Sequence, residues 1–515
     1  MYKPTIGLEI HAELKTQSKM FCSCKNDPDE KRPNYNICPI CTAQPGTLPV
    51  ANEEAIKKVI KTGLALNCKI AEDSKFDRKN YFYPDLPKGY QISQYDQPLC
   101  TGGFLDIDGH KTRITRIHLE EDTGSLAHPV TASGGVPSEG ADPIRTDGDK
   151  SPTSNGAGYS LVNLNRAGVP LMELVTEPDI TSGKEAREFA QELQLILKYL
   201  GVSDANMEKG QMRVEVNISI SKDKKLGTKV EIKNLNSFKV VEKAVDFEIA
   251  RQEEVLESGK RVVQETRGWH DKKEITFSQR EKEEAHDYRY FPEPDLPPMH
   301  FEDEYIIKIK TTMPELPEQK RERFKKEYGL DEVAVEFFIT NKDLSEYYEK
   351  VVSEIEGWLE SEIGNEVIPE KEEGKIFKLV SNYLITEVQG LLAGKEFVET
   401  EFKITPENFA EFVKMILRGE ISSKVAKMVV ADMFNTGSDP SSVVDANNWR
   451  QMSDDGELEK VIKEVISKNP KATEDYKSGK QNSVQFLSGQ VMAKTRGTAN
   501  PEKVQELLKR NLNQG

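Results

Sequence analysis

Alternation of apolar and polar residues constrains the fold of this chain more than any other feature, and it is clearest in residues 5–14. The apolar positions recur at every second residue: Ile6, Leu8, Ile10, Ala12 and Leu14. Successive side chains of a β-strand point to opposite faces, so we predict a half-buried strand whose polar face presents Glu9 and His11 together. A carboxylate beside an imidazole can hold a hard cation or transfer protons, but a plain solvated strand face also fits this pattern.

Three later segments extend this pattern. In residues 113–120 the alternation places Arg116, His118 and Glu120 on one face. Residues 211–221 and 228–235 each have one apolar face and one charged face, with charged or polar positions at Arg213, Glu215, Asn217, Lys229, Glu231 and Lys233. Such strands can form the floor under an anionic ligand, or simply a solvated sheet face. The consecutive carboxylates at 120–122 suit either a solvated turn or a Mg²⁺ site.

Helix signals lie between these strands. Asn52 is predicted to cap a helix that runs to about Leu66, because two glutamates follow it in the first turn. An apolar stripe predicts a second helix over 184–200, and a third is expected at 237–257. Strands and helices in this arrangement predict an α+β fold.

The chain has 515 residues, which is too many for one core. We predict a first domain over 1–294, a helical domain over 295–400 and a tail domain over 401–515. Residues 129–158 are rich in Gly, Ser, Pro, Asp and Thr, and are therefore predicted to form a flexible surface insertion in the first domain.

Composition limits the possible functions. No apolar stretch approaches the roughly 20 residues of a membrane span, and a strand is expected within a few residues of Met1, so we expect a cytoplasmic protein without a signal peptide. The net charge of −16 argues against broad, non-specific nucleic-acid binding. Residues 461–515 nevertheless contain 10 Lys or Arg and 5 Asp or Glu, a local balance of +5.

Four of the six cysteines form two close pairs, Cys22-x-Cys24 and Cys38-x-x-Cys41. Thiols are expected to stay reduced in the cytoplasm. Four thiolates in two such knuckles suit tetrahedral zinc, and the absence of an open ligand position favours a structural role. The alternative is four unrelated thiols.

Residues 76–94 fit neither the helix nor the strand period. Aromatic residues alternate there with Arg78, Lys79 and Lys88, which predicts a rigid loop whose polar groups line a cleft. The sequence contains neither a G-x-x-x-x-G-K-[ST] phosphate loop nor a Rossmann glycine fingerprint. If this chain uses ATP, it is expected to bind the nucleotide on a sheet with a carboxylate-held metal.

An ordered series of motifs over nearly the whole chain resembles the B subunits of the bacterial aspartyl/glutamyl-tRNA(Asn/Gln) amidotransferases, the GatB family. Besides the 76–94 loop, the motifs are Gly7-Leu-Glu-Ile-His-Ala-Glu-Leu14, Leu119-Glu-Glu-Asp122, Asn165-Arg-Ala-Gly-Val-Pro-Leu171, Glu177-Pro-Asp179, Val230-Glu-Ile-Lys-Asn-Leu-Asn-Ser-Phe238, Gln264-Glu-Thr-Arg267, Asp287-Tyr-Arg-Tyr-Phe-Pro292 and Gly489-Gln-Val-Met492. The family usually has Cys and Asp where this chain has Val214 and Glu215.

The resemblance implies an antiparallel-sheet catalytic cradle of the glutamine synthetase/guanido kinase type, an all-α domain and an α-helical, tRNA-binding tail like the YqeY proteins. It also implies a ligase reaction. ATP phosphorylates the side-chain carboxylate of mis-charged Glu-tRNA(Gln), Asp-tRNA(Asn) or both, and ammonia then replaces the phosphate. A glutaminase A subunit supplies the ammonia through a tunnel, and a small C subunit completes a heterotrimer.

The resemblance assigns the Mg²⁺ ligands to Glu9, His11 and Glu121, with Glu120 in reserve because alternation places it beside His118. Lys79 is expected to contact the phosphate or acyl phosphate. The groups expected to bind ATP are Arg78, Lys88, Arg213, Glu215 and Lys233. The tyrosines of the 76–94 loop either stack on unpaired bases of the tRNA acceptor end or hold the loop rigid. The rival hypothesis is a non-catalytic, zinc-containing scaffold that binds tRNA.

Overall fold

The computed structural model describes residues 2–127, 160–223, 225–281, 287–363, 370–452, 455–478, 480 and 482–514. The insertion predicted at 129–158 lies outside these residues. The chain divides into two compact units, Met1–Pro317 and Glu318–Gly515. The three-domain division stays a prediction. Among the described helices, none is both long and apolar enough to cross a bilayer.

The first unit is built on a large sheet, as the α+β prediction requires. Its strands in chain order are β1 (Lys3–Glu13), β2 (Lys69–Ile70), β3 (Asp73–Ser74), β4 (Asp77–Asn80), β5 (Tyr90–Ser93), β6 (Cys100–Thr101), β7 (Phe104–Ile107), β8 (His110–Glu121), β9 (Ser125–Ala127), β10 (Leu161–Asn163), β11 (Pro170–Thr176), β12 (Met212–Ser221), β13 (Val230–Leu235), β14 (Glu265–His270), β15 (Ile275–Glu281), β16 (Phe291–Pro292) and β17 (Met299–His300). The main sheet has the order β15-β14-β13-β12-β1-β11-β8-β6-β2, and β7 pairs with β8.

The sheet is antiparallel except where β13 runs parallel to β14. Strand β1 lies near its middle, between β11 and β12. Its even-numbered apolar side chains are buried, as the alternation predicted, and its odd-numbered polar residues lie on the other face. The strands predicted near 113–120, 211–221 and 228–235 are confirmed as β8, β12 and β13.

Four helices are described before residue 317: α1 (Glu53–Ala65), α2 (Gly183–Tyr199), α3 (Phe238–Glu257) and α4 (Asp303–Thr311). The predicted cap of α1 is confirmed, because the Asn52 side chain accepts hydrogen bonds from the N–H groups of Glu54 and Ala55. Apolar stripes of the helices join the apolar face of the sheet in one core. The polar face of the sheet is thereby left for ligands.

The prediction of a loop without strands over 76–94 is wrong in part, because residues 77–80 and 90–93 form β4 and β5 of a short three-stranded sheet, β16-β4-β5. Strand β4 pairs with β5 along residues 77–80, and Phe291 of β16 lies opposite Arg78. Side chains alternate along β4, so neighbouring residues of the loop point to opposite sides. This alternation decides which cationic side chains of residues 76–94 reach the polar face of the main sheet.

The rest of the chain is helical in its described residues. The elements are α5 (Pro317–Glu327), α6 (Glu332–Thr340), α7 (Lys342–Ile363), α8 (Glu370–Asn382), a π-helical turn (Tyr383–Val388), α9 (Gln389–Leu392), a 3₁₀ turn (Glu399–Glu401), α10 (Pro406–Leu417), α11 (Ser423–Thr436), α12 (Pro440–Asn447), α13 (Asp455–Lys468), α14 (Pro470–Lys477), α15 (Asn482–Lys494) and α16 (Pro501–Gln514). Helices α13, α15 and α16 share an apolar cluster.

Candidate active site

Strand register brings a row of ionisable side chains together on the polar face of the main sheet. His11 of β1 lies opposite Glu173 of β11 on one side and Arg213 of β12 on the other. Glu173 in turn lies opposite His118 of β8. Residues directly opposite each other on antiparallel strands have neighbouring side chains on one face. The row therefore crosses four strands and has both imidazoles beside Glu173.

Short distances link these groups into one cluster. His11 Nε2 lies 3.4 Å from Glu120 Oε1 and 3.3 Å from Glu173 Oε2. His118 Nε2 lies 3.7 Å from the same Glu173 oxygen. Glu9, His11 and Glu173 each offer one ligand atom within 4.8 Å of the others, and so do His118, Glu120 and Glu173. We call these five residues the carboxylate–imidazole cluster.

The pKa values in the cluster reflect its crowded charges. Burial opposes the positive charge of His11, but hydrogen bonds to Glu120 and Glu173 outweigh burial and raise its pKa to about 10. Burial, together with the neighbouring Glu173 and Glu215 carboxylates, raises the pKa of Glu9 to about 7. Burial lowers the pKa of His118. The protein thus stabilises a positive charge where His11 meets its two carboxylates.

Cations surround the cluster within a polar cavity of about 460 Å³. Lys79 Nζ lies 3.9 Å from Glu120 Oε2. Two further cations are held by carboxylates of the cavity wall, because Arg213 donates to Asp122 at 2.8 Å and Lys233 donates to Glu215 at 2.7 Å. A negative floor with fixed cations around it suits a ligand that carries both phosphate and metal.

The structure brings six of the predicted site residues to this cavity: Glu9, His11, Lys79, Arg213, Glu215 and Lys233. It does not bring Glu121 there. Side chains alternate along β8, so Glu121 points away from the cluster, and its carboxylate accepts hydrogen bonds from Lys88 Nζ at 2.7 Å and from the Ile92 N–H at 3.0 Å. Glu120, the reserve residue, lies in the cluster instead.

Two predicted phosphate contacts also lie elsewhere. Lys88 pairs with Glu121 in a separate cavity of about 220 Å³ beside the cysteine knuckles. Arg78 forms a two-pronged ion pair with Glu293, at 2.7 and 2.8 Å, and stacks on Tyr90. Strand β4 turns Arg78 away from the side on which Lys79 reaches the cluster. Neither cation lines the cavity of the carboxylate–imidazole cluster.

Sequence reasoning missed Glu173 and assigned no role to His118. A signal for Glu173 was present, because it is the single charged residue of β11, Pro170–Thr176, whose other residues are apolar except Thr176. No local pattern indicated that Tyr288 and Tyr290 line the same cavity. All of these positions depend on pairing between distant segments.

The four knuckle cysteines meet as predicted. Their sulfur atoms lie within 4.8 Å of one another, and Cys38 Sγ is 3.9 Å from Cys41 Sγ. Tetrahedral zinc with bonds of about 2.3 Å separates its sulfur ligands by about 3.8 Å, so the set fits this ion. A hydrogen bond with Cys22 and the nearby Lys19 ammonium lower the pKa of Cys41 to about 5, which favours the metal-binding thiolate.

Lys19 provides a test of this metal site. The residue is 0% exposed, and its Nζ lies 3.8 Å from Cys41 Sγ and 3.3 Å from the Leu164 carbonyl oxygen. Its charge would offset that of a four-thiolate zinc centre, so Lys19→Met should weaken zinc affinity about 10- to 100-fold in a chelator competition. Lys15→Met, at an exposed lysine, is the control. Equal affinity in both variants would show that Lys19 does not support the site.

Comparisons of the sequence with family models and with known proteins all identify the same family. The family model described as the GatB/GatE catalytic domain matches residues 4–307, and the one described as the GatB domain matches residues 366–512. The chain is 46% identical to the B subunit of the aspartyl/glutamyl-tRNA(Asn/Gln) amidotransferase of Thermotoga maritima, over 99% of each chain. It is 45% identical to the corresponding protein of Carboxydothermus hydrogenoformans over 99% of each chain, and to that of Persephonella marina over 98% of each. The chain belongs to the GatB family of tRNA-dependent amidotransferase B subunits.

Proposed function

We propose that this chain is the ligase component that converts mis-charged Glu-tRNA(Gln), Asp-tRNA(Asn) or both into Gln-tRNA(Gln) and Asn-tRNA(Asn). A side-chain carboxylate oxygen attacks the γ-phosphorus of ATP, and ADP leaves. Ammonia then attacks the carbonyl carbon of the acyl phosphate, inorganic phosphate leaves, and the new amide loses a proton. The observation that carries the proposal is the carboxylate–imidazole cluster with Lys79 beside it, in a chain of this family.

The cluster fits a divalent cation. It offers three carboxylates, and the buried Nδ1 atom of His118 has no hydrogen-bond partner among the described residues. Glu9, Glu120 and Glu173 supply the oxygen ligands that Mg²⁺ prefers, and a metal ion would compete with the proton on His11. Bound there, Mg²⁺ would draw charge from the phosphate oxygens of ATP.

The surrounding cations position the anionic substrates. Lys79 Nζ lies 3.9 Å from Glu120 Oε2, Arg116 Nη2 lies 3.3 Å from Glu173 Oε1, and we place the γ-phosphate and the acyl phosphate beside Lys79. Arg213 and Lys233 are already oriented by Asp122 and Glu215, so little reorganisation is needed when phosphate arrives. These contacts support binding of ATP on an open sheet without a glycine-rich loop.

We assign supply of ammonia to a glutaminase A subunit, connected by a tunnel, with a small C subunit in the same heterotrimer. The names of the relatives are those of a B subunit, which supports a complex of this kind. We further propose a cradle of the glutamine synthetase/guanido kinase type over 1–294 with a structural Zn²⁺, a domain over 295–400 that is helical apart from the short strand β17, and a YqeY-like tail over 401–515. We assign the reaction to the cytoplasm, where aminoacyl-tRNAs are used.

The direct test uses the purified heterotrimer with Glu-tRNA(Gln) and, separately, Asp-tRNA(Asn). With ATP, Mg²⁺ and ammonium chloride in place of glutamine, the complex should form the amidated tRNA and one ADP per amide. Omission of ATP should abolish the product. A complex that binds tRNA but forms no amide under any of these conditions would instead support the scaffold hypothesis, which the comparisons do not favour.

The tail offers a second prediction. Lys468 and Lys471 flank a groove next to Phe486, an exposed aromatic residue, in the basic C-terminal region. If this groove contacts tRNA phosphates, the variant with Lys468→Ala and Lys471→Ala should bind tRNA more weakly, and the slope of log affinity against log salt should fall by up to about 2. Lys427→Ala is the control, because Lys427 lies outside this groove and pairs with Glu387 as Lys468 pairs with Glu464. An unchanged salt slope would remove the assignment.

A further inference from the structure

Four tyrosines line one side of the cavity that contains the carboxylate–imidazole cluster. We call Tyr81, Tyr288, Tyr290 and Tyr95 the tyrosine row. The ring centroids of Tyr81 and Tyr288 are 6.0 Å apart, and those of Tyr288 and Tyr290 are also 6.0 Å apart, both edge to face. Tyr290 and Tyr95 are stacked, with centroids 4.2 Å apart and planes inclined by 9°. The rings thus form a continuous aromatic surface.

The small sheet assembles this row from three distant segments. Tyr81 follows β4, Tyr95 follows β5, and Tyr288 and Tyr290 precede β16, which pairs with β4. Two hydrogen bonds that do not involve the rings hold these segments in place. The Asn80 N–H donates to the Tyr288 carbonyl at 2.9 Å, and the Tyr95 N–H donates to Asp77 Oδ2 at 3.0 Å. The position of Tyr95 therefore does not depend on its ring.

Packing does not explain the outer end of the row. Tyr95 is 60% exposed, although its ring lies flat on Tyr290. The row meets the charged cluster at Tyr288, because Lys79 Nζ lies 5.3 Å from the Tyr288 ring centroid and 3.9 Å from Glu120 Oε2. Along one wall the cavity therefore changes from the charged side chains beside which we place phosphate to the exposed residue Tyr95. A nucleotide has the same order of groups, from phosphate to base.

We infer that the tyrosine row is an adenine-binding subsite, in which the base stacks on the exposed end formed by Tyr95 and Tyr290. This inference rests on the proposed function, because both proposed substrates carry an adenosine: ATP has one, and so does the 3′ end of tRNA to which the amino acid is attached. Stacking on aromatic rings is the usual way in which proteins hold an unpaired base. Steady-state kinetics of the Tyr95→Ala variant distinguishes the adenosine of ATP from the adenosine at the 3′ end of tRNA.

The test uses the heterotrimer with Tyr95→Ala, Tyr95→Phe or Tyr35→Ala in this chain. Tyr35 is the matched control, because it is 58% exposed and lies outside the cavity. Loss of the stacking contact in Tyr95→Ala should raise the KM of the substrate whose adenine binds there about 5- to 100-fold. Tyr95→Phe keeps the ring and should stay within about twofold of the wild type, as should Tyr35→Ala.

Two sets of measurements identify which substrate supplies the adenine. If ATP stacks there, the KM for ATP and the Kd for ADP, measured by calorimetry without tRNA, should rise together. If the tRNA end stacks there, the KM for Glu-tRNA(Gln) should rise, and the variant should lose a preference for a terminal adenosine over a terminal cytidine.

Unchanged values of both KM in Tyr95→Ala would overturn the subsite, and so would a decrease in kcat alone. These outcomes are distinct from failure of the proposed function. If the proposed function fails, the wild-type complex forms no amide. The affinities of the Tyr95 variants for ADP and for tRNA can still be measured and still test the subsite.

Discussion

Replacing His11 by alanine should reduce ATP-dependent amidation by about 1000-fold or more, with the loss in kcat. His11 Nε2 contacts both Glu120 and Glu173, and its charge separates carboxylates that would otherwise repel one another. Its removal would disturb the carboxylates that we propose as Mg²⁺ ligands, and a bound Mg²⁺ would supply several kcal/mol of transition-state stabilisation. Single-turnover formation of Gln-tRNA with ammonium chloride measures this step without a contribution from ammonia delivery.

The control for this variant is His300→Ala, at an exposed histidine that contacts Asp73 on β3. It should retain wild-type activity. Zinc content should equal that of the wild type in both variants, because His11 is not in the cysteine site. Loss of zinc from His11→Ala would assign His11 to the structural site, and full activity would exclude the cluster from catalysis.

Lys79→Met should lower kcat about 100- to 1000-fold while the protein remains folded. Burial opposes the charge of Lys79, but the nearby Glu120 and Glu173 outweigh burial and raise its pKa well above the ordinary value. Its ammonium is therefore a fixed positive charge beside the proposed site of phosphoryl transfer. Removal of one such preorganised group typically costs this factor. Steady-state kinetics, with circular dichroism to monitor folding, measures the effect.

Arg78→Met is the contrasting variant, one residue away on the opposite side of β4. It leaves the buried Glu293 carboxylate without its arginine partner, which should lower the free energy of unfolding by about 3–5 kcal/mol. The kcat of the folded enzyme should stay within a few-fold of the wild type. A large kcat effect from Arg78→Met, with none from Lys79→Met, would reverse the assignment of the two cations.

The faces of the strands could be predicted from the sequence because alternation is a local property. The positions of Glu9 and His11 on β1 followed directly from it. The same alternation also placed Glu120 rather than Glu121 beside His118, whereas resemblance to the family favoured Glu121. The structure agrees with the alternation, because Glu120 contacts His11 and Glu121 contacts Lys88.

The partners across the sheet could not be predicted in this way. Glu173 reaches His11 because β11 pairs with β1, about 160 residues apart in the chain, and a single sequence does not reveal that pairing. The cations of the 76–94 loop show a related limit. Composition indicated a charged cleft, but only the pairing of β4 with β5 and β16 shows that Lys79 faces the cluster and Arg78 faces Glu293.

The proposed reaction order is phosphorylation of the aminoacyl carboxylate first and amidation second. Glu-tRNA(Gln) labelled with ¹⁸O in both side-chain carboxylate oxygens tests it most directly, with the heterotrimer, ATP and ammonium chloride. The inorganic phosphate released with each Gln-tRNA should contain one ¹⁸O atom, detected by mass spectrometry, because the carboxylate oxygen leaves with the phosphate. Phosphate without the label, at normal yield of Gln-tRNA, would contradict the acyl-phosphate pathway.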